Sequence, residues 1–411
     1  MVFTAIWFLF RKIRKKRKFG IFVPQEMNVI LAPDSFKGCL TAREVADALT
    51  DGLRRVRPSC AAVRVPVADG GEGFSEAILS ARGGEWVHAD TVDPLGRPMG
   101  ARYAVCGDTA VVEVAAASGL PLLRPEERNP LLTTSYGTGL LIRDALERGC
   151  REFLIGLGGS ATHDAGTGLL SALGFRFLDA SGQVLPGCGA SLSRIAAIDR
   201  SAAHPVLAAA HFTAACDVDT PFCGPGGAAE VFAPQKGATP EQVRLLDAGT
   251  ASFAEVIRQE ILRCAQDDKR IVRDDDNTVE DDGKGYGAAG GIGGALHALL
   301  GAQLSSGIDL VLDAAGFDAQ LRDAALVITG EGRLDGQTAR GKAAAGILRR
   351  AQRAGVPVAA VCGRVAPGPA LPFSHIVALA DDNIPDNVAM QPAWAREHLA
   401  EAAASIIREY L

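Results

Sequence analysis

The sequence predicts an α/β fold in which a parallel sheet is interrupted by an inserted unit of mixed strands and helices. Three observations carry that expectation. Apolar strand-like runs alternate with helical stretches, as in "NVILAPDSFKG" followed by "TAREVADALTDGL", and in "DAALVITGEGRLDGQTARGKAAAGILRRAQRAGVPVAAVCG". Such alternation means a parallel sheet joined by crossovers. The middle of the chain differs: "ARYAVCGDTAVVEVA" and "GFRFLDASGQVLP" look like antiparallel strand pairs around glycine-containing turns. Third, each strand of the parallel kind ends in a polar glycine turn, at the carboxyl end where open α/β sheets bind ligands.

Taken in order, "NVILAP" is the first strand. The following helix has Thr41 as N-cap and Glu44 three residues on, a capping box, with Ala42, Val45, Ala46, Leu49 and Leu53 at helical spacing. "AAVRVPVADGGEGF" is a second strand ending in a glycine-acid turn. "REFLIGLGGSATHDAGTGLLSALG" repeats strand, glycine turn and helix. No repeat of 20 to 50 residues is visible. Residues 263 to 284, "RCAQDDKRIVRDDDNTVEDDGK", are acid-rich and aperiodic, and are expected to form an exposed, disordered insertion. They lack the ordered ligand spacing and glycine turn of a calcium loop.

Composition narrows the function classes. The chain has 411 residues, 48% hydrophobic and 22% charged, enough for two or three packed domains. Its net charge of -6 argues against a nucleic-acid partner but allows a small anionic substrate. Nine cysteines are scattered without a C-x-x-C pair, which speaks against a disulfide framework or zinc site and for a reducing cytoplasm. The start, "MVFTAIWFLF" then "RKIRKKRK", reverses the charge order of a secretory signal and is too short to span a bilayer. Residues 1–26 are therefore expected to be a disordered tail or an upstream start, with Met27 directly before the first strand, and no stable membrane insertion is expected. A homodimer is compatible with the sequence.

Several turns hold chemistry-bearing residues. "DSFKG" places Asp34, Ser35 and Lys37 after the first strand, where Lys37 meets a carboxylate or phosphate, or is only a solvated lysine beside a cap. "ADGGEGF" sets Asp69 and Glu72 among Gly70, Gly71 and Gly73, a turn whose backbone can approach a ligand closely. "GLGGSATHDAGTG" offers Gly158 and Gly159 as backbone donors before a helix, with Ser160 and Thr162 as hydroxyl donors. His163 reads as a surface or packed histidine rather than a ligand, and Asp164 as a helix-start acid. In "AACDVDTPFCG", Asp217 and Asp219 alternate along a strand end, so both can meet one cation of the Mg²⁺ kind. "PQKGA" adds Lys236. "GYGAAGG" matches a dinucleotide fingerprint but follows an acidic loop, so a close-packed or ligand-hugging turn fits better, and a dehydrogenase reading rests on it alone. Finally Gly330, Glu331, Gly332, Arg333, Asp335, Gln337, Arg340, Gly341 and Lys342 form a long strand-to-helix turn. It nearly spells a P-loop, but Ala343 stands where the Mg²⁺-binding hydroxyl would be.

Together "MNVILAPDSFKGCLTAREVADAL", "PVADGGEG", "TTSYGTG", "GLGGSATHDAGTGLLSALGF", "CDVD", "FAPQKGAT" and "GEGRLDGQT…GK" closely resemble the bacterial glycerate kinase family of the first type, from about Met27 to nearly the C-terminus. The resemblance implies ATP-dependent phosphorylation of D-glycerate with Mg²⁺, with 2-phosphoglycerate favoured over 3-phosphoglycerate. It implies a flavodoxin/Rossmann-like domain from residues 27–66 and 300–411, and an inserted mixed α/β domain over 67–299. Within it, Mg²⁺ is expected on Asp217 or Asp219, and phosphates on the turns at 158–160 and 330–341 with Lys342 or Arg333. The glycerate carboxylate is expected on Lys37 with Ser35, and Asp69 is the candidate base; exchanged roles for Asp69 and Asp217 stay open. Leu140 stands where that family often has Glu, His163 where it has Asn, Phe74 where it has Thr, and "DVDTPF" replaces "DVDNPL". These differences bear on substrate preference rather than on reaction type. A non-catalytic sensor of a sugar acid or nucleotide is the competing class, which would not need a full set of acids.

Overall fold

The computed structural model describes residues 27–266, 284–334, 343–366, 371–381 and 383–410, with the side chains of 264–266 left aside. The N-terminal run 1–26, most of the acidic run and Asp335, Gln337, Arg340, Gly341 and Lys342 lie outside the described residues.

Two sheets organise the chain. The first is five-stranded and wholly parallel, in the order β13-β12-β11-β1-β2. Its strands are β1 (Asn28–Pro33), β2 (Ala61–Arg64), β11 (Ala324–Leu334), β12 (Val358–Val365) and β13 (His375–Ala378), so both ends of the chain build it. The second is six-stranded and mixed, in the order β10-β9-β6-β5-β4-β3. Here β3 (Glu85–Val92), β4 (Pro98–Cys106) and β5 (Thr109–Glu113) form the antiparallel meander, turning at Gly107. Then β5, β6 (Glu152–Gly156), β9 (His211–Ala215) and β10 (Gln303–Ser305) run parallel. The short β10 lies beyond position 300 yet pairs with β9. The second expected hairpin closes only through a single bridge, Leu178 with Val184; β7 (Arg176–Leu178) takes β8 (Ala197–Asp199) as its strand partner.

Local chemistry explains the element ends. Helix α1 (Ala42–Val56) starts on the reciprocal cap: the Glu44 N–H donates to Thr41 Oγ1 at 3.3 Å, and the Thr41 N–H to Glu44 Oε2 at 2.9 Å. Pro66 stops β2 early, although Val65 still donates to the Leu31 carbonyl at 2.9 Å. The strand β11 runs five residues further, to Leu334, than a turn starting at Gly330 allows. Pairing of Glu331 with Cys362, Arg333 with Arg364 and Leu334 with Val365 continues through the glycines. Gly330, Glu331, Gly332 and Arg333 are therefore strand residues, because a glycine backbone accepts the ladder that a polar sequence alone does not advertise.

Packing sets the two sheets against one helix. One face of the parallel sheet is covered by α1 and by α10 (Pro392–Glu409), whose Leu49, Leu53, Leu399 and Ile406 share a core with Val29, Leu31 and Ile328. These helices touch at Gly52, where a methyl would come within 2.1 Å of the Ala400 carbonyl oxygen. Gly52→Ala is expected to cost about 1–3 kcal/mol, read as a lowered denaturant midpoint with unchanged m-value. The other face carries α9 (Ala343–Arg353) and α8 (Gly307–Ala314). Helix α8 is shared: Ile308 and Leu312 pack on the parallel sheet, while Val311 packs with Phe74, Ile78 and Leu154 on the mixed one. Its first turn is thereby held between the two units.

Candidate active site

In the parallel sheet β1 leads through α1 to β2 on one side, and β11 leads through α9 to β12 on the other, so the strand order reverses between β1 and β11. That switch point is where such sheets open a crevice at their carboxyl ends. Asp34 and Glu331 stand there. The Asp34 N–H donates to the Gly330 carbonyl at 2.8 Å, and the Ser35 N–H to Asp34 Oδ1 at 2.6 Å. Burial raises the Asp34 carboxyl above its usual range, against the pull of the Ser35 bonds, and Asp69 raises it further. Lys37 and Arg333 are exposed at the same edge, and Glu331 is buried.

The mixed sheet offers a second row of ends. Glu113, Gly156, Ala215 and Ser305 are in register as the last residues of β5, β6, β9 and β10. The residues just beyond them form a cavity of about 1010 Å³, lined among others by Asp69, Gly71, Gly158, Gly159, Ser160, Asp217, Asp219 and Lys236. Absent side chains bring the turns together. The Gly158 N–H donates to the Gly70 carbonyl at 3.1 Å, and a Cβ on Gly158 would lie 2.5 Å from Gly71 Cα. Gly70 adopts φ +84°, open to glycine and strained for other residues. A Cβ on Gly307 would lie 2.5 Å from the Gly70 nitrogen, so the start of α8 abuts the 69–73 turn.

Asp217 sits on that helix start. The Gly307 N–H donates to both its carboxylate oxygens, at 3.2 and 3.1 Å. Burial pushes its carboxyl up to about 7 despite these bonds, and Asp69 and Asp309 add to the rise. Asp69 thus acts electrostatically on Asp34 in one sheet and on Asp217 in the other, linking the two rows of strand ends. Its Oδ1 accepts from the Gly71 N–H at 3.3 Å. Asp219 and Glu72 are exposed.

Several expected residues sit differently from a simple turn-before-helix. The next helix, α4 (Thr167–Ala172), begins only at Thr167, so the Gly158–Ser160 donors belong to a turn and not to a helix start. Ser160 reaches the cavity, but Thr162 is 0% exposed and lies behind the wall. His163 is also wholly buried, with Nε2 3.0 Å from Thr250 Oγ1, and burial lowers its imidazole to about 3. Phe74 is buried in the core, so neither of these two substitutions faces the cavity. "GYGAAGG" packs tightly: a Cβ on Gly290 would meet the Thr162 carbonyl at 2.3 Å, while Ala288 and Ala289 form cavity wall.

Two residues gain a place that local sequence did not disclose. Asp164 is fully buried and accepts from the Ser135 N–H and hydroxyl, both at 2.7 Å, and from Gly166 and Gly168. Lys236 is 2% exposed and donates to Ser160 Oγ at 2.9 Å and the Thr162 carbonyl at 2.7 Å. The motif "PQKGA" was the only signal for it.

Among the described residues no three His, Cys, Asp or Glu side chains form a metal cage. Asp217 and Asp219 on one cavity wall suit instead a cation such as Mg²⁺, which takes one or two carboxylates and completes its shell with water and phosphate oxygens. No described helix is long and apolar enough to cross a membrane.

Comparison with known proteins shows the family and the fold. The glycerate kinase family matches residues 29–411. The chain is 45% identical over 339 residues to a glycerate kinase of Haemophilus influenzae, covering 82% of this chain and 86% of that one. It is 41% identical over 377 residues to a glycerate kinase of Bacillus subtilis, covering 91% and 94%. A glycerate 2-kinase of Escherichia coli is 43% identical over 339 residues, covering 82% and 85%. A crystal structure assigned as glycerate kinase 2 of Salmonella typhimurium LT2 superposes with a TM-score of 0.80 at 40% identity, covering 94% of this chain and 98% of that one.

Proposed function

Because the chain belongs to the glycerate kinase family, we propose that it transfers the γ-phosphoryl group of ATP to the 2-hydroxyl of D-glycerate, giving 2-phosphoglycerate and ADP. The name of the Escherichia coli relative supports the 2-position. The observation that carries the reading is the meeting of Asp34, Asp69 and Asp217 across the two rows of strand ends, beside glycine turns that bare their backbone.

Phosphoryl transfer asks a protein for positioning and charge neutralisation more than for covalent chemistry. Bound Mg²⁺ would supply neutralisation of the phosphate oxygens, and the residues to hold it are Asp217 and Asp219. Both acids line the cavity, Asp217 half-buried and Asp219 exposed, and a cation there would offset the repulsion that Asp69 and Asp309 exert on the Asp217 carboxylate. The Gly158–Ser160 turn offers backbone and hydroxyl donors to the phosphates, and in this reading the glycine-rich end of β11 serves them from the parallel sheet. Arg333, and Lys342 from outside the described residues, cover charge as it moves. Ser35 and Lys37 hold the glycerate carboxylate at the β1 end. The 69–72 turn, with Gly70, Gly71 and Glu72, lies against the substrate. Asp69, between the glycerate end and the phosphate end, takes the proton of the attacking hydroxyl.

The test is ADP release with ATP, Mg²⁺ and D-glycerate, with the product examined by ³¹P NMR. Glycerate-dependent release with a doublet, from one proton on the phosphorylated carbon, is expected. A triplet would move the phosphate to the 3-position. Absence of glycerate-dependent turnover would overturn the reading.

A further inference from the structure

Lys236 ends the short 3-10 turn Pro234–Lys236 and is the one lysine or arginine among the described residues lining the cavity. Taking an ammonium out of water is costly unless a charge compensates it. The two acceptors it meets, Ser160 Oγ and the Thr162 carbonyl, are both neutral. Asp164 acts on it only through space, its carboxylate being used by Ser135, Gly166 and Gly168. A buried ammonium without a carboxylate in contact gains most when an anion enters the cavity. The same cavity carries Asp69, Asp217 and Asp219, which would repel a phosphate chain without a cation on its far side. Leu120, Val231 and Phe232 give the cavity an apolar wall for a flat, uncharged group.

We propose that Lys236 is a catalytic residue that contacts the phosphate chain of the nucleotide, held at the Gly158–Ser160 turn by Ser160 and Thr162, with the nucleobase on the apolar wall. This rests on the ATP reading above. The contact is charge-assisted, and the residue is aimed by two hydrogen bonds, so it reads charge and position together.

The groups facing the amine are His163, which is neutral, and Asp164. Burial lowers the Lys236 amine to about 7. Below that value the free protein presents an ammonium, and above it a neutral amine. Nucleotide affinity should fall as pH rises from 7 towards 9, by up to roughly tenfold per pH unit.

The experiment is calorimetric titration of the full chain with ADP between pH 7 and 9, for wild type, Lys236→Arg and Lys236→Met. Expected are a wild-type affinity that falls with pH, a Lys236→Arg profile that is flat, and Lys236→Met binding at least roughly tenfold weaker at pH 7. The KM for D-glycerate should stay near the wild-type value in Lys236→Arg. A wild-type affinity flat over this range, or a folded Lys236→Met that binds ADP like wild type, overturns the proposal while leaving the kinase reading in place. Circular dichroism identifies a Lys236→Met chain that fails to fold, and the wild-type and Lys236→Arg profiles then decide. Wild type that binds no ADP at all overturns both readings.

Discussion

Asp69→Asn is expected to lower kcat by roughly 10²- to 10⁴-fold, the range lost when a positioned base is removed. The amide keeps the size of the carboxylate and still offers an oxygen to the Gly71 N–H, so the 69–73 turn and the stability should persist. It also removes one of the negative charges that act on Asp34 and Asp217, so the effect cannot be put down to added repulsion. Loss of turnover with a KM for D-glycerate near wild type is the expected split, because the base acts on the proton in flight and not on the bound carboxylate. Asp217→Asn should instead change the Mg²⁺ concentration needed for half-maximal rate. If Asp69→Asn turned over at the wild-type rate and Asp217→Asn did not, with no change in Mg²⁺ dependence, the two acids would exchange roles.

Asp164→Ala is expected to be the most destabilising change at a residue outside the cavity wall, by about 4–6 kcal/mol. Its carboxylate accepts four hydrogen bonds, three of them from backbone N–H groups and one from the Ser135 hydroxyl, all at 0% exposure of Asp164. Alanine leaves those donors buried without a partner, and the penalty for that exceeds the net worth of the bonds themselves. The carboxylate joins the loop behind the Gly158–Ser160 turn to the start of the helix α3 (Tyr136–Glu147), whose first turn Ser135 precedes. Unfolding in urea should show a much lower midpoint, and any folded fraction should have weakened nucleotide binding. A loss below about 1 kcal/mol would mean that the donors find other acceptors and that Asp164 does not organise the loop.

Much of the architecture was legible because its causes are local. "NVILAP" is apolar over the length of a strand and became β1; Thr41 and Glu44 are three residues apart and made the cap they spell. The division into a parallel sheet and a mixed one followed from where apolar runs alternate with helices and where they pair across Gly107. Asp69, Gly158, Gly159, Ser160, Asp217 and Asp219 were marked by residue type and by position after strands, and the fold gathers all six around one cavity.

What could not be read along the chain is what depends on contacts across it. The Gly307 N–H that holds Asp217 is 90 residues away, and the Ser160 hydroxyl that aims Lys236 is 76 away. No periodicity encodes such a pair, since it exists only once both sheets have placed their carboxyl ends side by side. The same holds for burial. His163, Asp164 and Lys236 carry polar groups whose burial local sequence does not decide, yet helices and turns from distant segments close over them and shift their ionisation. Residue types therefore named the chemistry available to this chain, whereas the long-range packing of β5, β6, β9 and α8 settled which groups share one dry space and at what charge, because desolvation and Coulomb interaction depend on distance in three dimensions and not on separation along the chain.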